Sequence, residues 1–252
     1  MATKASQLTK QPIMNAVHFV LQGKGGVGKS LFAAFLAQFL QSKVEVVNCF
    51  DTDPVNQTLK NYQALNAEHI SIMQGSKIDE RNFDSLMERL LSEEGTFVID
   101  NGASSFVPLS NYLIENNAIK MLQDAGRNVF VHCVITGGQA LLDTLAGFKA
   151  LAAQTESSNI VIWLNEYFGA ITHNGKSFNE MRVYLDHADK VRGVVRMVKR
   201  NQDTFGKDIE EMITRKLTFT EAIQSTEFSL MAKQRIKTVQ REIFDQLNVV
   251  GF

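Results

Sequence analysis

The chain has 252 residues, 44% of them apolar and 21% charged, with a net charge of −1. That length and balance suit one α/β domain with a sizeable core. The near-zero charge sets up no global field to draw in nucleic acid or an anionic membrane. Two cysteines outside any CxxC pair argue against a disulfide framework or a cysteine-built zinc site, and no stretch approaches the ~20 apolar residues of a spanning helix. The reading is a cytoplasmic protein with reduced thiols.

The first segment, residues 1–12, is polar, has no signal-like apolar run, and reads as a flexible tail before one domain at 13–252. From there apolar runs alternate with helix-period segments. Strand Val17–Gln22 precedes helix Lys29–Gln41. Strands Val44–Phe50 and Ile70–Met73 precede helix Phe83–Ser92. Strand Phe97–Asp100 precedes helix Leu109–Gln123, and strand Val129–Thr136 precedes helix Gln139–Gln154. Strand Ile160–Asn165, helix Phe178–Ala188 and strand Val191–Val198 follow, and helices Asp203–Lys216 and Leu230–Leu247 close the chain. The alternation predicts an α/β fold, a mostly parallel twisted sheet of about seven strands flanked by helices.

Ligands of open parallel sheets sit beyond the carboxyl ends of the strands, and the chain concentrates its polar motifs there. After the first strand comes Gly23-Lys24-Gly25-Gly26-Val27-Gly28-Lys29-Ser30, a full GxxxxGK[ST] phosphate loop in the required strand–loop–helix setting. Residues Gly23 to Leu31 are the candidate nucleotide cradle. Glycines let N–H groups turn inward around a polyphosphate, Lys29 reaches the β- and γ-phosphates, and Ser30 ligates Mg²⁺. Asp100 ends the apolar run Phe97-Val98-Ile99 as a second metal-holding group. The following Asn101–Ser105 reads as a flexible switch sensing the γ-phosphate. Asp53, fixed by Pro54, is the candidate that orients the attacking water. Ser30, Asp53 and Asp100 together form the candidate metal set, while Asp51 is either catalytic or structural.

One loop residue is surplus. A phosphate loop needs only Lys29, so Lys24 calls for a reason. The pattern KGGVGKS resembles the deviant Walker A motif of the MinD/ParA superfamily of P-loop ATPases. That resemblance implies a homodimer with nucleotide sandwiched between two copies, Lys24 reaching the partner's phosphates. The candidate catalytic set is thus Lys24, Lys29 and Asp53. Asp51-Thr52-Asp53-Pro54 is similar to the family's second aspartate motif. Val161-Ile162-Trp163-Leu164-Asn165 resembles the strand whose terminal Asn contacts adenine, so ATP and Mg²⁺ are the implied ligands. The phrases FVLQGKGGVGKSLFAAFLAQFL, FVIDNGASSFVPLSNYL, VITGGQALLDTLAGFKAL and WLNEYFG are similar to TraL-like conjugal-transfer and StbB-type plasmid-stability ATPases.

Departures narrow the resemblance. The chain lacks the paired cysteines of nitrogenase-iron-protein relatives, the CxxC of tail-anchored-protein targeting ATPases, and the terminal tyrosine cluster of bacterial tyrosine kinases. The implied function is a slow ATPase switch in plasmid transfer, stability or positioning, acting through a protein partner. An ATP-dependent ligase of the dethiobiotin-synthetase type and a nucleotide-gated interaction module with negligible hydrolysis are the alternatives. Two contacts stay open from the residues alone. Lys190, Arg192, Arg196, Lys199 and Arg200 form a basic cluster flanked by Asp186, Asp189 and Asp203, either a nonspecific DNA surface or a solvated face. The end Val249-Val250-Gly251-Phe252 reads as frayed or as a peripheral membrane contact.

Overall fold

Strand β1 (Ala16–Leu21) is buried along its whole length and lies in the middle of the sheet. A strand covered on both faces must be apolar on both, which is why the sequence shows a run here rather than an alternation. The computed structural model describes residues 15–155 and 159–252. The expected tail, Met1–Pro12, lies outside the described residues.

In chain order β1 leads through the glycine loop into α1 (Lys29–Gln41), then β2 (Val47–Asp51) and the two-residue β3 (Glu68–His69). A hairpin of β4 (Met73–Gln74) and β5 (Lys77–Ile78) precedes α2 (Asn82–Ser92) and β6 (Thr96–Asp100). Helices α3 (Phe106–Glu115) and α4 (Ala118–Asp124) lead to β7 (Asn128–Thr136), α5 (Leu141–Gln154) and β8 (Ile160–Asn165). A second hairpin, β9 (Thr172–His173) with β10 (Lys176–Ser177), and the short α6 (Arg182–Leu185) come before β11 (Val191–Met197). Helices α7 (Lys207–Thr214), α8 (Phe219–Gln224) and α9 (Leu230–Val250) finish the fold.

The main sheet has seven strands in the order β11-β8-β7-β1-β6-β2-β3, every pair parallel. Parallel pairing needs crossovers, and the helices supply them on both faces. One layer packs α1, α7, α8 and α9 on Ala16, Val20, Val98, Val134 and Trp163. The other packs α2, α3, α4 and α5 on Val17, Phe19, Leu21, Phe97 and Ile99. Successive side chains of β1 therefore feed opposite cores.

Four predicted elements change form. The strand expected at Ile70–Met73 does not join the sheet as such. Ile70 donates its N–H to the Asp51 carbonyl at 3.0 Å, but the ladder residues are Glu68 and His69. Ile70 and Ile72 satisfy their hydrophobicity as buried side chains while the chain turns away into the β4–β5 hairpin. The helix expected at Leu109–Gln123 breaks at Asn117, whose φ of 49° is left-handed, a conformation Asn tolerates better than most. The segment Phe178–Ala188 holds only the single-turn α6 between two 3₁₀ turns. Residues 202–206 form a π-helical turn ahead of α7. Helix α8 was legible but unread: Thr218 and Glu221 make a capping box, the Thr-x-x-Glu signature.

The α9 face of β1 carries a buried polar pair. His132 accepts from the Trp163 indole N–H at Nδ1 (3.0 Å), so its Nε2 carries the proton and donates to His18 Nδ1 at 2.9 Å. Phe252 packs edge-on against His18 and also touches the rings of Phe130 and His132. Phe252 is thus inserted in the core, 8% exposed, with Val250 buried near it, whereas Val249 stands exposed. Among the described residues no helix is long and apolar enough to cross a membrane.

Burial holds both imidazoles neutral, pushing His132 down to about 3 and His18 well below its ordinary value. The unfolded chain binds protons below about pH 6.5 that the folded chain refuses. Stability should therefore be unaffected above that pH and fall below it, approaching about 1.4 kcal/mol per pH unit per histidine. Urea unfolding of wild type and His18→Leu across pH 5 to 7.5 checks this. The variant should show the shallower acid-side slope, and equal slopes would mean that His18 does not titrate on unfolding.

Candidate nucleotide site

The phosphate loop leaves β1 at Gln22 and closes on α1 at Gly28. Gly26 and Gly28 take φ of 74° and 103°, conformations that open to glycine and strain other residues. Gly28 is also crowded: a Cβ there would stand 3.0 Å from the Asn165 amide nitrogen and 3.3 Å from Phe32. Residues Gly23 to Gly26 are exposed, whereas Val27 and Lys29 are buried and Ser30 is half-buried. Lys29 donates from Nζ to the Lys24 carbonyl at 3.0 Å. Burial lowers its pKa, and the nearby Asp100 and Asp53 charges oppose that shift. The ammonium thus occupies the loop's interior beside two carboxylates.

Asp100 ends β6 beneath the loop, 1% exposed. Neither of its oxygens finds a full hydrogen bond, although the Ser30 hydroxyl faces it closely enough to oppose its pKa shift. Burial, with Asp51 and Asp53 close by, pushes this carboxyl up to about 8. A buried carboxylate supported by no more than one hydroxyl is costly unless a cation completes it. Ser30 and Asp100 together therefore fit a hard, oxygen-seeking ion such as Mg²⁺.

The two aspartates after β2 separate in role. Asp51, fully buried, accepts from the Asp53 amide at Oδ1 (3.0 Å) and from the Leu59 and Lys60 amides at Oδ2 (2.9 and 3.2 Å). It is the brace of the loop and resolves as structural. Asp53 is half-exposed, with Oδ1 accepting from Val55 and Asn56 at 2.9 and 3.1 Å. That turn fixes the carboxylate toward the site. Gly102 makes room for it, since a Cβ there would come 2.7 Å from Asp53 Cγ.

Asn101–Ser105, expected to be flexible, is tied down. Asn101 and Ser105 are buried, and the Asn101 Oδ1 accepts from Thr52 (3.0 Å) and Ser105 (2.9 Å) hydroxyls. Thr52 also donates its N–H to the Asp100 carbonyl at 2.9 Å. The polar composition suggested looseness; the network instead welds the ends of β2 and β6. Asn101 was read as part of a switch, but its bracing role was not legible, because only the sheet order shows that it faces Thr52.

Asn165 ends β8 on the other flank. It donates from Nδ2 to the Val27 carbonyl at 2.9 Å and accepts the Tyr167 N–H at 3.1 Å. These bonds fix which end of the amide is nitrogen and leave it one N–H and one lone pair. Asn165 and Leu31 line a cavity of about 260 Å³ beside the loop, with Tyr167, Phe168 and Phe205 among its aromatic walls. The basic cluster lies partly against this cavity and is largely engaged within the protein. Arg192 bonds the Gly251 carbonyl at 2.6 Å, Arg196 pairs with Glu166 at 3.0 Å, and Arg200 pairs with Glu242. It does not form a free cationic stripe.

Lys24 extends outward from the loop. Its ammonium is 2.7 Å from Asp143 Oδ2, with side chains 45% and 56% exposed. The structure therefore brings Lys29, Ser30, Asp53 and Asp100 around one point, sets Asn165 at the loop's side, and places Lys24 on its outer surface.

Comparisons with known proteins agree with this fold. The CobQ/CobB/MinD/ParA nucleotide binding domain family matches residues 18–246. Two Protein TraL chains of Escherichia coli are each 46% identical, one over 94% of this chain and 99% of its own, the other over 93% and 98%. Among solved structures, the MinD cell division protein of Aquifex aeolicus is similar at a TM-score of 0.53 and 14% identity, covering 91% of this chain and 97% of its own. A ParA family ATPase of Chlorobium tepidum TLS follows at 0.51 and 16%, covering 90% and 98%. The sevenfold parallel sheet, the phosphate loop at its centre and these relatives together place the chain in the CobQ/CobB/MinD/ParA family of P-loop nucleotide-binding proteins, alongside the TraL proteins.

Proposed function

We propose that the chain is a Mg²⁺-dependent ATPase switch that dimerises around ATP and serves plasmid conjugal transfer or stability through a protein partner. The observation that carries this reading is the division of labour between two lysines. Lys29 is buried inside the loop, and Lys24 stands outside it, where a second copy can meet it.

In this reading Lys29 and the loop amides bind the β- and γ-phosphates. Ser30, Asp100 and, through its charge, Asp53 hold the Mg²⁺ that neutralises those phosphates. Asp53 orients the attacking water; phosphoryl transfer asks for positioning more than basicity, which an Asx-turn carboxylate supplies. Asn165 selects adenine: its remaining N–H and lone pair complement N7 and the N6 amino group, whereas guanine offers two acceptors there. Exposed apolar residues lie close to each contact. Val55 follows Asp53, Val107 follows the Phe106 that covers Gly23, and Leu142 precedes Asp143. Such a rim suits burial against a second copy.

Light scattering and phosphate release measured with ATP plus Mg²⁺ test the proposal. The expected result is a dimer with ATP, a monomer with ADP, and slow turnover with ATP favoured over GTP. A chain that stays monomeric with every nucleotide overturns the sandwich. A dimer without turnover favours the nucleotide-gated interaction module.

A further inference from the structure

We infer that Thr52 and Asn101 are positioning residues for Asp53: the bond between them sets where that carboxylate stands relative to Asp100. This deepens the ATPase reading above and rests on it.

The β2–β6 ladder ends with Asp51 opposite Asp100. Asp53 comes two residues later, so strand pairing does not place it. Thr52 carries the connection one step further. Its N–H donates to the Asp100 carbonyl at 2.9 Å. Its hydroxyl has one proton and stands 3.0 Å from Asn101 Oδ1 and 3.2 Å from the same carbonyl, and the shorter contact takes it.

Asn101 is held at both ends of its amide. Oδ1 also accepts the Ser105 hydroxyl at 2.9 Å, and Nδ2 donates to the Gly102 carbonyl at 3.1 Å. Gly102 is in turn the seat of Asp53, since a Cβ there would come 2.7 Å from Asp53 Cγ and 3.0 Å from its Cα. Thr52, Asn101 and Ser105 are all buried, where each bond is stronger and an unpaired group costs more. Asp53 is therefore held from two sides. The turn onto the Val55 and Asn56 amides aims its carboxylate. Thr52 and Asn101 tie its backbone to the strand that carries Asp100. A displacement of about 1 Å at such a group costs about 10²-fold in rate.

Thr52→Val removes the hydroxyl at nearly constant shape and keeps the N–H bond to β6. Turnover with ATP and Mg²⁺ should fall about 10- to 100-fold, while ATP and ADP affinities measured by calorimetry stay as in wild type. Thr52→Ser should restore the rate, because it returns the hydroxyl alone. Asn101→Ala should lower turnover in the same way, again with affinity unchanged. A Thr52→Val protein with wild-type turnover overturns the inference. So does a rate loss that Thr52→Ser leaves in place, or one matched by an equal loss of ATP affinity, which is what a merely structural role produces. If wild type binds ATP and releases no phosphate, the ATPase reading has failed instead.

Discussion

Replacing Lys24 by alanine should lower ATP turnover by about 10³- to 10⁵-fold while leaving ATP affinity of the monomer near wild type, the range a cation supplied in trans contributes to phosphoryl transfer. The structure separates the two effects unusually well. What the binding loop needs from residue 24 is its backbone carbonyl, which accepts Lys29 Nζ at 3.0 Å and survives the substitution. What alanine deletes is an ammonium on the loop's outer face, paired only with a surface carboxylate. Loss of that pair alone would alter stability by well under 1 kcal/mol. Lys29→Ala, by contrast, removes the buried charge and should abolish binding itself.

Mixing experiments decide where Lys24 acts. Lys24→Ala and Asp53→Asn should each be inactive, yet their heterodimer contains one intact composite site. That site uses Asp53 of the first copy and Lys24 of the second. Mixing equal amounts should restore about a quarter of wild-type turnover, since about half the dimers are mixed and each has one good site. No recovery would mean that Lys24 serves the nucleotide on its own subunit. A Lys24→Ala enzyme that turns over normally would remove the lysine from catalysis altogether.

How much of this was legible follows from which interactions are local. The phosphate loop was, because its function depends on consecutive backbone geometry, and glycines at 26 and 28 announce their positive φ. So was the parallel sheet, because strands buried on both faces must be continuous apolar runs, as Val129–Thr136 and Ile160–Asn165 are. Asp53 could be chosen from its neighbour Pro54, but the role of Asp51 stayed open, for it lies in which amides fold back on each carboxylate. Leu59 and Lys60 return to Asp51, and only Val55 and Asn56 turn onto Asp53. Asp143 carried no signal at all. Its partner is 119 positions away, and the helix start that presents it is fixed by Gln22 and Gly147 across the core. Polar composition misled at Asn101–Ser105 because side chains that suggest a loose loop also build a tight network when strand ends bring them together.

Asp100→Asn should make the nucleotide-free protein more stable, by about 2 kcal/mol or about 4 to 8 °C in Tm, while removing the added stabilisation that Mg²⁺ gives to bound ATP. The native carboxylate is in an unfavourable place for a folded chain on its own. It is buried, the Ser30 hydroxyl is the one donor among the described residues close enough to support it, and Asp51 and Asp53 add like charge. Folding must either bury that charge or take up a proton, and both work against the native state. Asparagine keeps the shape and removes the charge; an unsatisfied amide offsets part of the gain. Addition of saturating ligand should invert the order. Ligand at a hundred times its dissociation constant stabilises a protein by about 2.7 kcal/mol, and the variant should show the same thermal shift with ATP whether or not Mg²⁺ is present. Thermal melts of both proteins, with no ligand, ATP and EDTA, or ATP and Mg²⁺, give the comparison. A variant less stable than wild type without ligand would mean that Asp100 braces the fold. A variant whose melting still responds to Mg²⁺ would take the carboxylate out of the metal site. The expected crossing, stabler empty and weaker when loaded, is the mark of a charge kept against the fold's interest for a cation that arrives with the nucleotide.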